Sequence, residues 1–128
     1  MYDGNQSLNS WYDFERGRAI LNAASSYDNM TPYPSTDINF SVHYLLALNG
    51  AEIIEIGKTS LASVTLAPTS GYISGSQSQY NVSSTSVGMV YVIKTRNGKY
   101  AKMRIISATS PYFRADIVYQ PNGTRILQ

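Results

Sequence analysis

The stretch Val90-Tyr91-Val92-Ile93-Lys94-Thr95-Arg96-Asn97-Gly98-Lys99-Tyr100-Ala101-Lys102-Met103-Arg104-Ile105-Ile106-Ser107 decides the fold class. Two arms rich in β-branched and aromatic residues flank Asn97-Gly98, and both central residues tolerate the positive φ of a type I′ turn. That turn would set Arg96 opposite Lys99. Lys94 would then face Ala101, Val92 face Met103 and Val90 face Ile105, gathering an apolar cluster on one side. Tyr91 with Arg104, Ile93 with Lys102 and Thr95 with Tyr100 would occupy the other.

Working outward, residues 115–120 and 124–128 read as a second hairpin around Pro121-Asn122-Gly123, where proline suits a type I turn and glycine the left-handed bulge after it. Upstream, Ile38, Phe40, Val42 and Tyr44 alternate with Asn39, Ser41 and His43. This is the period of one half-buried strand over residues 37–48, with His43 on its polar face. Asn49-Gly50 predicts a turn from it into 51–56. Residues 11–21 read as strand, turn at Gly17, strand, with a short helix over 19–24 as the competing form. The two prolines in Thr31-Pro32-Tyr33-Pro34-Ser35 require a loop. Residues 63–67 suit a short strand, and the Ser-, Thr- and Gly-rich stretch 68–88 a long surface loop with room for one edge strand. The expected fold is all-β, an antiparallel β-sandwich or partly open barrel built from hairpins. Residues 1–10 are polar and aperiodic and are expected to form a disordered end, leaving 11–128 as a single β domain.

Composition agrees with one folded domain. At 128 residues, with 43% hydrophobic and 14% charged side chains, apolar burial can outweigh chain entropy. Eleven Tyr against three Phe favour half-buried sheet faces, where the ring packs and the hydroxyl stays wet. A net charge of +2 gives too weak a mean field to draw in nucleic acid, which is not expected as a partner. The absence of Cys excludes disulfides, thiolate metal sites and cysteine nucleophiles. No apolar run is long enough for a transmembrane segment, and the first residues lack a signal core.

Catalytic constellations are hard to assemble from these residues. His43 is the single histidine, so a Ser-His-Asp arrangement or a multi-histidine metal site has no second candidate. Glu52 and Glu55 would point to opposite faces of one strand. Asp13 and Glu15 would share one face of a strand, and Asp116 on another strand could join them as a calcium or glycosidase site, but solvated strand charges are the simpler reading. Lys94, Arg96, Lys99, Lys102 and Arg104 lie with Tyr91 and Tyr100 on one hairpin, but the expected register divides them between two faces. Gly71 to Gly75 lacks the lysine and the strand-to-helix context of a phosphate loop. Five Asn-x-Ser/Thr triplets, at Asn5, Asn29, Asn39, Asn81 and Asn122, suit an exposed exported domain, though the same residues form ordinary turns.

The run from Tyr91 to Ile105, with its Lys-Thr-x-Asn-Gly-Lys-Tyr-Ala-Lys turn, and Ile117-Val118-Tyr119-Gln120-Pro121-Asn122-Gly123-Thr124 resemble the C-terminal hairpins of the HmuY-like family. These are extracytoplasmic bacterial β-proteins that include haem-capturing haemophores. The likeness covers roughly the last 40 residues of the chain and implies fold and compartment. Haem in that family rests on two axial His or Met side chains. Here the resemblance offers His43, Met89 and Met103 as the cofactor-binding candidates, although Met103 points into the expected apolar cluster, where a core methionine is the far commoner case.

The expectation is thus a non-enzymatic extracytoplasmic binding module, secreted, periplasmic or at the cell surface, for haem or another hydrophobic ligand. The alternative is a structural or adhesion domain of a larger surface protein, with a protein or glycan partner. No catalytic residue and no metal site are expected.

Overall fold

The computed structural model describes residues 10–14, 18–21, 38–41, 44–47, 50–74, 80–81, 84–107 and 114–127. The expectations for residues 1–9, the Gly17 turn and the proline loop at 31–35 lie outside them, as do Glu15 and His43.

The described residues form ten strands: β1 (Ser10–Asp13), β2 (Arg18–Leu21), β3 (Ile38–Ser41), β4 (Tyr44–Ala47), β5 (Glu52–Lys58), β6 (Ile73–Ser74), β7 (Tyr80–Asn81), β8 (Met89–Lys94), β9 (Tyr100–Ser107) and β10 (Arg114–Gln120). They form two open five-stranded sheets, ordered β2-β1-β3-β4-β7 and β10-β9-β8-β5-β6. Every pairing is antiparallel, so the all-β antiparallel class holds. β1 and β2 pair as the strand-turn-strand reading requires, with Tyr12 opposite Ala19, and residues 19–21 are strand rather than helix.

The hairpin of β8 and β9 exists, but one residue out of the expected register. Lys94 faces Tyr100, Val92 faces Lys102, Tyr91 faces Met103 and Val90 faces Arg104. The turn accommodates the slip. Gly98 N donates to Thr95 O at 3.0 Å and Thr95 N to Lys99 O at 2.8 Å, which leaves a three-residue loop, Arg96-Asn97-Gly98. Gly98 takes φ 77 as the left-handed residue that closes it. The Thr95 hydroxyl also accepts from Lys99 N at 3.1 Å, and this bond fixes the wider loop. Because side chains alternate, the slip exchanges cross-strand partners: Tyr91 and Ile93 now share a face with Ala101 and Met103.

The expected single strand over 37–48 is two strands. Ile38 pairs with Ala47, Phe40 with Leu45 and Ser41 with Tyr44, so the chain reverses between Ser41 and Tyr44. Burial explains why. Ile38, Leu45 and Ala47 are all buried, and a single strand of period two would send Ile38 to the face opposite Leu45 and Ala47. Consequently Gly50, at φ 89, lies on the connection from β4 in one sheet to β5 in the other, and the expected hairpin between 37–48 and 51–56 does not form.

One buried cluster draws on both sheets: Phe14, Ile38, Leu45 and Ala47 meet Ile53, Tyr91, Ile93, Ala101, Met103, Ile105 and Ala115. A second cluster covers the other face of β8, where Val90, Val92 and Tyr100 pack against Val64, Ala67 and Leu127. Val90, Tyr91, Val92 and Ile93 are each 0% exposed, so β8 is sealed on both faces.

The second seal replaces two expected elements. Instead of a strand over 63–67, Leu61–Ser63 forms a 3-10 turn capped by Ser60, whose hydroxyl accepts from Ser63 N at 3.2 Å. The described part of the expected 124–128 strand, residues 124–127, does not return along β10. Ala67 N donates to Arg125 O at 2.7 Å and Leu127 N to Thr65 O at 2.9 Å, tying the last residues to 65–67. Gln120 redirects the chain: its Oε1 accepts from Asn122 N at 3.0 Å and its Nε2 donates to Ile126 O at 2.9 Å. Leu127 is thereby buried in the outer cluster, which rewards that path. The 68–88 stretch holds two edge strands where one was expected, β6 beside β5 and β7 beside β4.

Candidate functional site

Met89 opens β8, and Met103 lies in the middle of β9. Met89 and Tyr91 alternate onto the same face of β8, and Tyr91 faces Met103 across the ladder, so both methionines belong to the inter-sheet side. Their surroundings differ. Met103 is 0% exposed within the inter-sheet cluster, whereas Met89 is half-buried at its margin. His43, the third candidate, lies outside the described residues.

An axial pair must leave room between its sulfur atoms for a metal and macrocycle. Met103 is enclosed by packed side chains, so a haem held between Met89 and Met103 does not fit this core as it stands. The shallow depression bordered by Ile106, Arg114, Ala115 and Asp116 is lined by neither methionine. Met103 is placed as a packing residue, and of the two methionines Met89 reaches a partly open margin.

A second group was missed by the sequence reading. Tyr91 OH donates to Glu55 Oε2 at 3.3 Å, and the Tyr80 ring stands 5.3 Å from that of Tyr91 at an interplanar angle of 55°. Burial raises the Tyr91 phenol above its ordinary value, and the negative charge of Glu55 adds to the effect. Tyr80 is raised as well, chiefly by burial. β5 supplies Glu55 just before a bulge: Glu55 faces Tyr91 and Gly57 faces Val90, leaving Ile56 as the extra residue. A separation of 36 residues and a one-residue register shift hide the Tyr91–Glu55 contact from any local pattern. Glu52 faces Lys94 on the other side of the sheet, so the two glutamates are apart as expected.

The basic residues are not divided as expected. Lys94, Lys102 and Arg104 share the outer face, because their partners are Tyr100, Val92 and Val90. They do not make a free cationic surface. Lys102 is 3% exposed, with Nζ donating to Leu61 O at 2.7 Å and Val64 O at 3.0 Å. Arg104 Nε donates to Thr59 O at 2.9 Å, and Arg125 Nε to Ala67 O at 2.9 Å. Three cations thus fasten the strap 59–67 over the outer cluster through its own carbonyls. Desolvation lowers the Lys102 pKa.

Of the scattered carboxylates, Asp116 is exposed on β10 opposite Arg104, and the backbone of Asp13 pairs with Arg18 on β2. Among the described residues no three His, Cys, Asp or Glu side chains gather in a metal-holding group. No described helix is long and apolar enough to cross a membrane. No family model matches the chain, and no curated protein matches it.

Proposed function

We propose that this chain is a non-enzymatic binding module that works outside the cytoplasm and takes a small hydrophobic ligand at the margin of its inter-sheet core. The observation that carries this reading is Met89, half-buried at that margin on the same strand face as Tyr91. Tyr80, also half-buried, packs against the same cluster. A half-buried thioether and a half-buried tyrosine ring, both packed against one apolar cluster, are adaptable contacts for flat apolar molecules. The resemblance of the β8–β9 and β10 regions to HmuY-like proteins supports the compartment and makes haemin the first probe. Enclosure of Met103 favours a ligand bound by packing over one coordinated by two methionines.

Haemin titrated into the purified chain tests this by absorbance, alongside Met89→Ala and His43→Ala. Saturable binding weakened about tenfold or more by Met89→Ala is the expected result, since truncating a contact at the centre of a small site costs upward of about 1.4 kcal/mol. Saturable binding unaffected by Met89→Ala would move the site elsewhere, and loss in His43→Ala alone would assign coordination to His43. No saturable binding of haemin or of an apolar dye overturns the reading.

A second reading, a structural or adhesion domain of a larger surface protein, is favoured by one separate feature. β10 is a seven-residue strand at the end of its sheet.

A further inference from the structure

Asparagine is followed by glycine at Asn49, Asn97 and Asn122. This pair has a chemistry of its own, because glycine has no side chain to keep its backbone nitrogen away from the asparagine side-chain carbonyl. Asn49 lies outside the described residues. The other two occupy exposed turns, but their reacting atoms are held differently. In the β8–β9 loop Gly98 N, the atom that would attack, donates to Thr95 O at 3.0 Å, and two bonds between Thr95 and Lys99 close the loop around it. In the turn after β10 the bonded amide is instead that of Asn122 itself, which donates to Gln120 Oε1 at 3.0 Å and takes no part in the reaction. Asn122, Gly123 and Thr124 are all exposed, so water reaches this turn, and Gly123 takes φ 76.

We infer that Asn122 is a site of spontaneous deamidation, and that its isoaspartate product loosens the seal that Leu127 makes on the outer cluster. Gly123 N loses its proton to a solvent base and bonds to Asn122 Cγ; the Cγ–Nδ2 bond then breaks, and ammonia leaves with a proton taken from solvent. The resulting cyclic imide adds one water at either of its carbonyl carbons, which gives aspartate or isoaspartate. Water enters and ammonia leaves, with nothing oxidised or reduced. Isoaspartate carries the main chain through Cβ and Cγ, so the backbone between residues 122 and 123 gains a carbon. The position matters because of what Gln120 holds together. Its Oε1 accepts from Asn122 N, and its Nε2 donates to Ile126 O at 2.9 Å, so one side chain spans the turn and the segment after it. Next to Ile126, Leu127 is 0% exposed in the cluster with Val64, Ala67, Val90, Val92 and Tyr100. A longer backbone between the two anchor points of Gln120 works against that burial.

Peptide mapping by mass spectrometry tests the site, on the full chain incubated at mildly alkaline pH both folded and in urea. In the folded chain Asn122 should convert about tenfold or more faster than Asn97, whose attacking nitrogen must first give up its bond to Thr95 O. In urea the two rates should converge, because glycine follows at both positions. Equal rates in the folded chain, or no conversion at Asn122, overturn the site. A difference that persists in urea assigns the selectivity to local sequence and overturns its structural cause. Chromatography then isolates the isoaspartate form for urea unfolding. Its midpoint should fall below that of the parent, while Asn122→Asp, with the same charge on an ordinary backbone, should stay near the parent value. An isoaspartate form as stable as the parent, or an Asn122→Asp variant as unstable as the isoaspartate form, overturns the link to Leu127.

Discussion

Lys102 donates from its buried Nζ to the carbonyl oxygen of Val64 at 3.0 Å, joining the middle of β9 to a strap 38 residues earlier in the chain. With the Leu61 carbonyl as its other acceptor, this ammonium is held by backbone oxygens of the strap. A hairpin lysine that would ordinarily be solvated instead anchors the cover of the outer cluster.

Lys102→Met should lower stability by about 1–3 kcal/mol, because two buried carbonyls lose their donor while the apolar stem is kept. Urea unfolding measures it. The difference should also depend on pH. Desolvation sets the folded-state pKa below 10.5, so between those two values the unfolded chain holds a proton that the folded chain has released. Stability contributed at this site therefore rises with pH through that window. The gap between parent and variant should widen there, and a constant gap would mean that Lys102 titrates normally.

Tyr72 and Tyr91 act in the opposite direction. Tyr72 is raised chiefly by burial and then by Tyr100, and Tyr91 chiefly by burial and then by Glu55. Below the unfolded value of 10.0 both states keep these protons; above it only the folded chain does, so stability falls as pH climbs past 10.0 toward the raised values. Tyr91→Phe should cost about 0.5–1.5 kcal/mol at neutral pH through the lost bond to Glu55. It should also flatten the alkaline fall seen by denaturant titration, and an unchanged slope would exclude Tyr91 as a contributor.

Met103→Ala should destabilise by about 2–5 kcal/mol, since the side chain is fully enclosed, whereas Met103→Leu should cost less than about 1.5 kcal/mol. Met89→Ala should cost less than Met103→Ala, because Met89 is half-buried at the margin. Thermal unfolding ranks the three. Equal costs for the two alanine variants would contradict the difference in burial.

Gly71→Ala should destabilise by about 1–3 kcal/mol. The glycine has φ +97, and an added Cβ would come 2.9 Å from Ile54 Cδ1. Pairing it with Ile54→Val, which lacks that methyl, should recover the steric part and leave the backbone part. Full recovery would show that the left-handed conformation costs nothing here.

Several elements were legible because their causes are local. Arms rich in β-formers around Asn97-Gly98 placed β8 and β9, and the same reasoning paired the segments that became β1 and β2. The position of Met103 in an apolar cluster was also legible, though with Tyr91 rather than Val92 as its partner. Other features were not. Ile38 through Ala47 alternates in a way that suits one strand or two, and only burial of Leu45 and Ala47 beside Ile38 selects the reversal. Tyr91, Tyr80 and Glu55 come from three strands in two sheets, so no spacing could announce them.

The sequence by itself determined an antiparallel all-β chain and the place of its central turn, because strand propensity and glycine conformation act over a few neighbouring residues. Tertiary structure alone decided the register of β8 on β9, the sheet that each strand joined and the burial of Lys102. Val90 to Ile93 are apolar throughout, so alternation along β8 could not tell one face from the other. Two clusters had to form, one between the sheets and one beneath the strap, before each face acquired its side chains. A one-residue slip leaves local propensities nearly unchanged, and long-range burial therefore selects between the two registers.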